Sequence, residues 1–258
     1  MARDPLSHKG ENGKVAVIGG SALIHGAPLL SALAAEASGA DLLYVFVPRL
    51  HQEVARMTSL NFQVHPFAGD DIADRDVEPL LEFLATMDAA IIGPGLARTP
   101  AALKTIRTLI AEAPCSLVLD ASALQPWTLE AVRGKIAVLT PHLGELERME
   151  IEVEEIGATA KDAGVTMLVK GHEDLIAGPD GNVVTVTGGN AGLTVGGTGD
   201  ALAGLIGGLL AQKMAPIEAC RVASEVIKKS GDRLALKQSA FTAREVIALI
   251  PVLLQELG

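Results

Sequence analysis

The residues with the most chemical potential in this 258-residue chain lie between Gly188 and Asp200: Gly188-Gly189-Asn190-Ala191-Gly192, then Gly196-Gly197-Thr198-Gly199-Asp200. Glycine lets a backbone come close to an anion. The loop runs straight into residues 201–212, a segment apolar nearly all the way round. Such a helix must be buried, and a buried helix start leaves about four backbone N–H groups in need of an acceptor. Side chains, water or an anionic ligand can meet that need. Asp200 stands where loop becomes helix, and a carboxylate beside an anion pocket is badly placed unless it does chemistry. A plainer reading stands beside this one: Gly196 to Gly199 make a tight turn and Asp200 caps or begins the helix. Two familiar phosphate loops are excluded. A Walker loop would need Lys-Ser/Thr after Gly199, and a dinucleotide fingerprint anchored on Gly197 and Gly199 would need glycine at Leu202.

Other groups able to do chemistry follow predicted strands: Gly93-Pro94-Gly95, Asp120, Thr140-Pro141-His142 with Glu145, and Lys170-Gly171. Open α/β sheets bind ligands beyond the carboxyl ends of their strands, so one crevice could collect all of them. Each has a bland reading too. His142 could cap a helix or sit at the surface, and Glu145 could favour the helix dipole. Asp120 could be a loop carboxylate or could organise magnesium, a hard cation that takes carboxylate and phosphate oxygens. Lys170 offers a positive charge.

The elements that must position these groups are legible as an alternation. Strands are expected at residues 15–20, 42–47, 62–65, 89–92, 116–119, 136–139 and 165–169, separated by helices at 27–37, 50–57, 79–87, 99–112, 126–132, 142–149 and 152–163. Thr99-Pro100 supplies an N-cap and a first-turn proline. Residues 175–177 and 183–186 read as a hairpin across Gly178-Pro179-Asp180-Gly181. Amphipathic helices at 216–229 and 242–256 close the chain. Alternating strands and helices predict one α/β domain over 1–258, a mostly parallel sheet flanked by helices on both faces.

Composition bounds the function. The formal charge of −10 argues against bulk attraction to nucleic acid or an anionic membrane. No apolar run approaches the roughly 20 residues needed to span a bilayer, and no charged-then-apolar leader opens the chain, so a cytoplasmic protein is expected. Cys115 and Cys220, far apart, read as small buried side chains.

Taken together, the motifs resemble those of the NAD(P)H-hydrate dehydratases, in the ribokinase-like superfamily. The matching segments are His8-Lys9-Gly10 with Gly13, Gly93-Pro94-Gly95-Leu96, Leu119-Asp120-Ala121 with Ala123-Leu124, Thr140-Pro141-His142 with Gly144-Glu145, Lys170-Gly171, Gly189-Asn190-Ala191-Gly192 and Gly196-Gly197-Thr198-Gly199-Asp200. They stand in the family's order. Leu143 replaces a usual proline, and Asp174 replaces a common threonine in the segment similar to Lys-Gly-x-x-Thr.

The resemblance implies a three-layer ribokinase-like fold and ADP- or ATP-dependent dehydration of the S epimer of hydrated NADH or NADPH. The ring hydroxyl would take the terminal phosphoryl group, and loss of phosphate would restore the double bond. It implies Asp200 as general base, with the backbone amides of Gly197, Thr198 and Gly199 around the phosphoryl. Ala27, Gly95, His142, Asn190 and Asp200 would meet the hydrated cofactor. Lys170, Gly171, His172, Glu173, Asp174 and Gly199 would meet the adenine nucleotide, and Asp120 and Glu145 are candidate magnesium ligands. Related enzymes suggest a homo-oligomer, a tetramer being expected. Since many relatives carry an N-terminal epimerase and this chain opens almost at the dehydratase motifs, any epimerase is expected to be a separate protein. A ribokinase-like kinase for a vitamin precursor or sugar, or a catalytically silent adenine-nucleotide-binding protein, are the alternatives.

Overall fold

Short aliphatic runs form the strands and the segments between them form the helices. The computed structural model describes residues 5–257. The first half runs β1 (Lys14–Ile18), α1 (Gly26–Ala37), β2 (Leu42–Pro48), α2 (Gln52–Thr58), β3 (Phe62–Phe67), α3 (Val77–Leu84), β4 (Ala89–Ile92) and α4 (Pro100–Glu112). It continues through β5 (Ser116–Leu119), α5 (Thr128–Ala131), β6 (Ala137–Leu139), α6 (Leu143–Arg148), α7 (Ile156–Ala163) and β7 (Thr166–Val169). The hairpin β8 (Asp174–Ala177) and β9 (Val183–Val186) leads to α8 (Thr198–Ala211), α9 (Pro216–Ala235) and α10 (Ala243–Leu257).

The nine strands form a sheet of order β3-β2-β1-β4-β5-β6-β7-β8-β9. Strands β1 to β7 pair in parallel, while β8 and β9 pair antiparallel at one edge. Val17 lies beside Val45 on one side and Ile91 on the other. Alternate residues serve opposite cores: Val15 and Val17 pack with α1, α8, α9 and α10, while Ala16 and Ile18 pack with α3, α4 and α7. This is the expected three-layer arrangement, and continuous burial along β1 is what a central parallel strand requires. The chain reverses direction across the sheet between β1 and β4, which opens a crevice at their carboxyl ends. Among the described residues no helix is long and apolar enough to cross a membrane.

Several boundaries differ from expectation. α8 begins at Thr198 rather than 201, so Asp200 lies inside its first turn. α9 continues to Ala235 through Gly231, where a side chain would meet Leu193 at 2.6 Å. That glycine is a packing position rather than a stop. α5 is a single turn, because the Thr128 hydroxyl donates to the Ala123 carbonyl and accepts from the Gln125 amide, holding the preceding residues as a turn. Two 3-10 turns, Val153–Glu155 and Ala191–Thr194, replace parts of an expected helix and an expected loop.

The apolar helix α8 packs most closely on α1. A Cβ on Gly204 would lie 2.1 Å from the Ser31 carbonyl oxygen, and one on Gly208 would lie 2.1 Å from the Ser38 hydroxyl. These glycines let the two helix backbones approach, which fixes α8 against the sheet and places its N-terminus at the crevice.

Candidate active site

Gly197 caps α8 with φ +100°, and a side chain there would meet Leu30 at 2.4 Å. The Thr198 hydroxyl turns back to donate to the carbonyls of Leu193 and Val195, at 2.8 and 3.1 Å. From α1, the Ser31 hydroxyl donates to the Asp200 carbonyl at 2.9 Å. The helix start is therefore held from both sides. Its first bond runs from the Ala201 amide to the Gly197 carbonyl, so the amides before it belong to the group that a helix leaves for an outside acceptor. The positive end of the helix dipole points the same way.

Facing this end is a buried charge cluster. Lys170, one residue past β7, places its ammonium 2.7 Å from Asp120 Oδ1 and 3.6 Å from Glu145 Oε2. The Thr140 hydroxyl donates to the same Asp120 oxygen at 2.8 Å. A Cβ on Gly199 would lie 3.4 Å from that ammonium, so glycine leaves room for Lys170 at the helix start. Burial acts to lower the Lys170 pKa, but Asp120 and Glu145 more than offset it, and the net shift is upward. Asp200 is pushed up to about 7, chiefly by burial and then by the Asp120 charge, with Lys170 opposing. A carboxyl poised there exchanges protons near neutral pH, as a general base must. Among the described residues, no three His, Cys, Asp or Glu side chains are grouped as a ready-made metal cage.

Two clefts open at the strand ends, and the second shares Lys170 with the cluster. The first, of about 590 Å³, lies at the β1/β4 crevice and is lined by Ser21–Ile24, Asp71, Gly95–Thr99, Ala121 and Ser122. The second, of about 680 Å³, is lined by His142, Lys170–His172, Gly188–Ala191, Thr198, Gly199 and Lys228 among others. Both are large enough for a nucleotide-sized ligand. Asp120 and Asp200 are not among the lining residues, but Ala121, which follows Asp120, lines the first cleft and Gly199, which precedes Asp200, lines the second.

The sequence-predicted residues distribute as follows. Gly95 lines the first cleft, and a Cβ on it would lie 3.3 Å from that of Ala27. Gly93, φ +124°, passes so close to Asp120 that a Cβ would lie 1.8 Å from its carbonyl oxygen. His142 caps α6: its Nδ1 accepts from the Glu145 amide at 3.1 Å, while Glu145 Oε2 accepts from the His142 amide at 3.0 Å. His142 thus holds a structural position, yet its ring stays exposed on the second cleft. Leu143 follows at the first helical position, where proline is favourable but not required. Asn190 lies on the second cleft, its amide occupied by Asp232 and the Gly192 N–H. His172 and Glu173 are exposed, whereas Asp174 is buried and accepts from the Gly171 amide at 2.9 Å.

Sequence reasoning missed Arg98, Ser122, Lys228 and Asp232. Arg98 follows Gly93-Pro94-Gly95 by three residues and donates from Nε to the Ser122 hydroxyl at 3.3 Å. Its proximity to that motif was the available signal. Lys228 had none, since Lys228-Lys229 in an amphipathic helix reads as a solvated face.

The chain matches the NAD(P)H-hydrate dehydratase family over residues 15–252. It is 35% identical to an ADP-dependent (S)-NAD(P)H-hydrate dehydratase of Cenarchaeum symbiosum, over 95% of this chain and 89% of that one. A protein of the same description from Xanthomonas campestris pv. campestris is 33% identical, over 98% of this chain and 92% of that one. Among solved structures it is similar to an ADP/ATP-dependent NAD(P)H-hydrate dehydratase from Bacillus subtilis co-crystallised with ATP/Mg2+ (TM-score 0.79, 25% identity, 100% and 94% of the two chains covered). The fold is shared with Arabidopsis thaliana ribokinase (TM-score 0.58, 12% identity, 92% and 98% covered).

Proposed function

We propose, from the premise that this chain belongs to the NAD(P)H-hydrate dehydratase family, that it restores NADH and NADPH from their S hydrates at the expense of ADP. The observation that carries this reading is Asp200, a carboxyl with its pKa raised to about 7 in the first turn of α8, next to Thr198 and Gly199 on the wall of the second cleft. Relatives named ADP-dependent support the donor.

In this account the adenine nucleotide occupies the second cleft and the hydrated dinucleotide the first. Asp200 takes the proton of the ring hydroxyl as its oxygen forms a bond to the terminal phosphorus of ADP. The bond from that phosphorus to the AMP oxygen breaks, and AMP leaves. The α8 amides at Thr198 and Gly199 stabilise the charge on the transferring group, where positioning and electrostatics contribute most. Departure of phosphate then breaks the ring carbon–oxygen bond and, with loss of a ring proton, restores the double bond. The balance is hydrate plus ADP giving NAD(P)H, AMP and phosphate, with one proton released. His142, on the rim of the second cleft, and Gly95, on the wall of the first, would contact the hydrated ring.

The carboxylate oxygens of Asp120 and Glu145 are hard donors of the kind magnesium takes, and with no ready-made cage among the described residues the nucleotide phosphates would supply the remaining oxygens. Asp120 and Glu145 would hold it together with nucleotide phosphates, and its charge would offset that on the phosphoryl group. Self-association into a homo-oligomer is part of the same reading. Exposed Met57 and Leu60 support it, and a monomer by light scattering at assay concentration would remove it.

Phosphorus NMR of the products tests the reaction class. Inorganic phosphate and AMP should form in equal amounts with NADH, whereas a stable phosphorylated product would indicate an ordinary small-molecule kinase.

A further inference from the structure

The two walls of the second cleft come from separate connections. One is the 170–174 turn between β7 and β8, the other the 188–190 glycine loop after β9. Beneath both lies α9, and from it Lys228 reaches up between them. Its side chain is buried, at 7% exposure, although its neighbour Lys229 is half exposed. The Lys228 ammonium donates to the His172 carbonyl at 2.9 Å and the Gly171 carbonyl at 3.3 Å on one wall, and to the Gly188 carbonyl at 3.5 Å on the other. One turn further along α9, Asp232 accepts from the Gly189 amide at 3.0 Å and the Asn190 side chain at 3.2 Å. The glycine loop is thus gripped by its carbonyl and its amide from one helix. Gly188 and Gly189 both have positive φ, and a Cβ on Gly189 would lie 3.2 Å from Lys228 Cγ. The loop rests on the lysine stem.

Charge balance comes from Asp174, the residue that departs from the family pattern. Its Oδ1 lies 3.5 Å from the Lys228 ammonium and its Oδ2 accepts from the Ser224 hydroxyl at 2.6 Å. A buried ammonium is tolerated only when paired and hydrogen-bonded, and this one is satisfied by groups from both walls at once.

We propose that Lys228 is a positioning residue for the adenine nucleotide: it ties the 170–174 turn to the 188–190 loop and so sets the width of the cleft between them, with Asp174 as its countercharge. The proposal rests on the second cleft being the nucleotide site. ADP binding by the unaltered protein, measured by calorimetry, therefore comes first. No binding would remove that reading, whereas the variants below judge the role of Lys228.

Lys228→Met should raise the ADP dissociation constant and the KM for ADP by about tenfold or more, since small displacements of positioning groups have large effects. kcat at saturating ADP should change little, because no reacting group is touched. The double variant Asp174→Thr with Lys228→Met removes the stranded carboxylate as well. Its melting temperature should return towards that of the unaltered protein while ADP affinity stays low. If affinity instead recovers together with stability, or Lys228→Met leaves affinity unchanged, Lys228 is only a countercharge and the proposal fails. Should neither variant fold, hydrogen exchange on the unaltered protein decides. ADP should slow the Gly171 and Gly189 amides together, and protection of one wall alone would overturn the coupling.

Discussion

The Lys170 ammonium lies 2.7 Å from Asp120 Oδ1, and this contact joins the end of β5 to the end of β7 directly opposite the first turn of α8. It sets the electrostatic field in which Asp200 works. Asp120 raises the Asp200 pKa, Lys170 lowers it, and burial raises it most.

A pH profile reads that field. With Asp200 as base, kcat/KM should rise with pH along an acid limb centred near 7, because deprotonation produces the active form. Asp120→Asn removes a raising influence and should move the limb to lower pH. Lys170→Met removes a lowering influence and should move it to higher pH. Shifts of the two variants in the same direction would show that the limb does not report this cluster.

Stability should carry the same signature with the opposite preference. The folded Asp200 pKa lies above the ordinary carboxylate value, so the folded state binds its proton more tightly than the unfolded chain. That contribution is fully present at low pH and is lost as pH rises through about 7. Asp200→Asn, which cannot ionise, should therefore gain on the unaltered protein as pH rises from 5 to 8, by about 1–3 kcal/mol. Denaturant melts across that range check it, and a difference independent of pH would contradict it.

Gly204→Ala tests the close packing of α8 on α1. Its Cβ would meet the Ser31 carbonyl oxygen at 2.1 Å, a backbone atom that yields only if the helices separate. A loss of about 1–3 kcal/mol is expected, or roughly 2–4 °C in Tm for each kcal/mol. Because Ser31 also holds the Asp200 carbonyl, kcat should fall in the folded variant. Unchanged Tm and kcat would place no weight on this contact.

Much of this arrangement was legible because local patterns agreed with the global fold. The strands at 89–92 and 116–119 and the helix opened by Thr99-Pro100 lie where aliphatic runs and a proline at the first helical position place them. The strand-end motifs also follow one another along the carboxyl ends of β4 to β7, on one side of the point where the sheet reverses its order. What was hidden depends on pairing across the chain. The glycines of α8 show a buried helix, but not that Ser31 and Ser38 are what they admit. His142 and Glu145 could be read singly, yet their reciprocal cap needs three-dimensional geometry. Asp174 looked like a departure at one position. Its partners Ser224 and Lys228 lie 50 and 54 residues further along the chain, where no local signal marks them.

The most direct test of the central claim is recovery of NADH absorbance from the S hydrate with magnesium, comparing ADP with ATP and the unaltered protein with Asp200→Asn. Recovery that requires nucleotide, proceeds with ADP and is abolished in the folded Asp200→Asn variant is the predicted result. No recovery by folded protein that binds ADP, or equal recovery without Asp200, would contradict it.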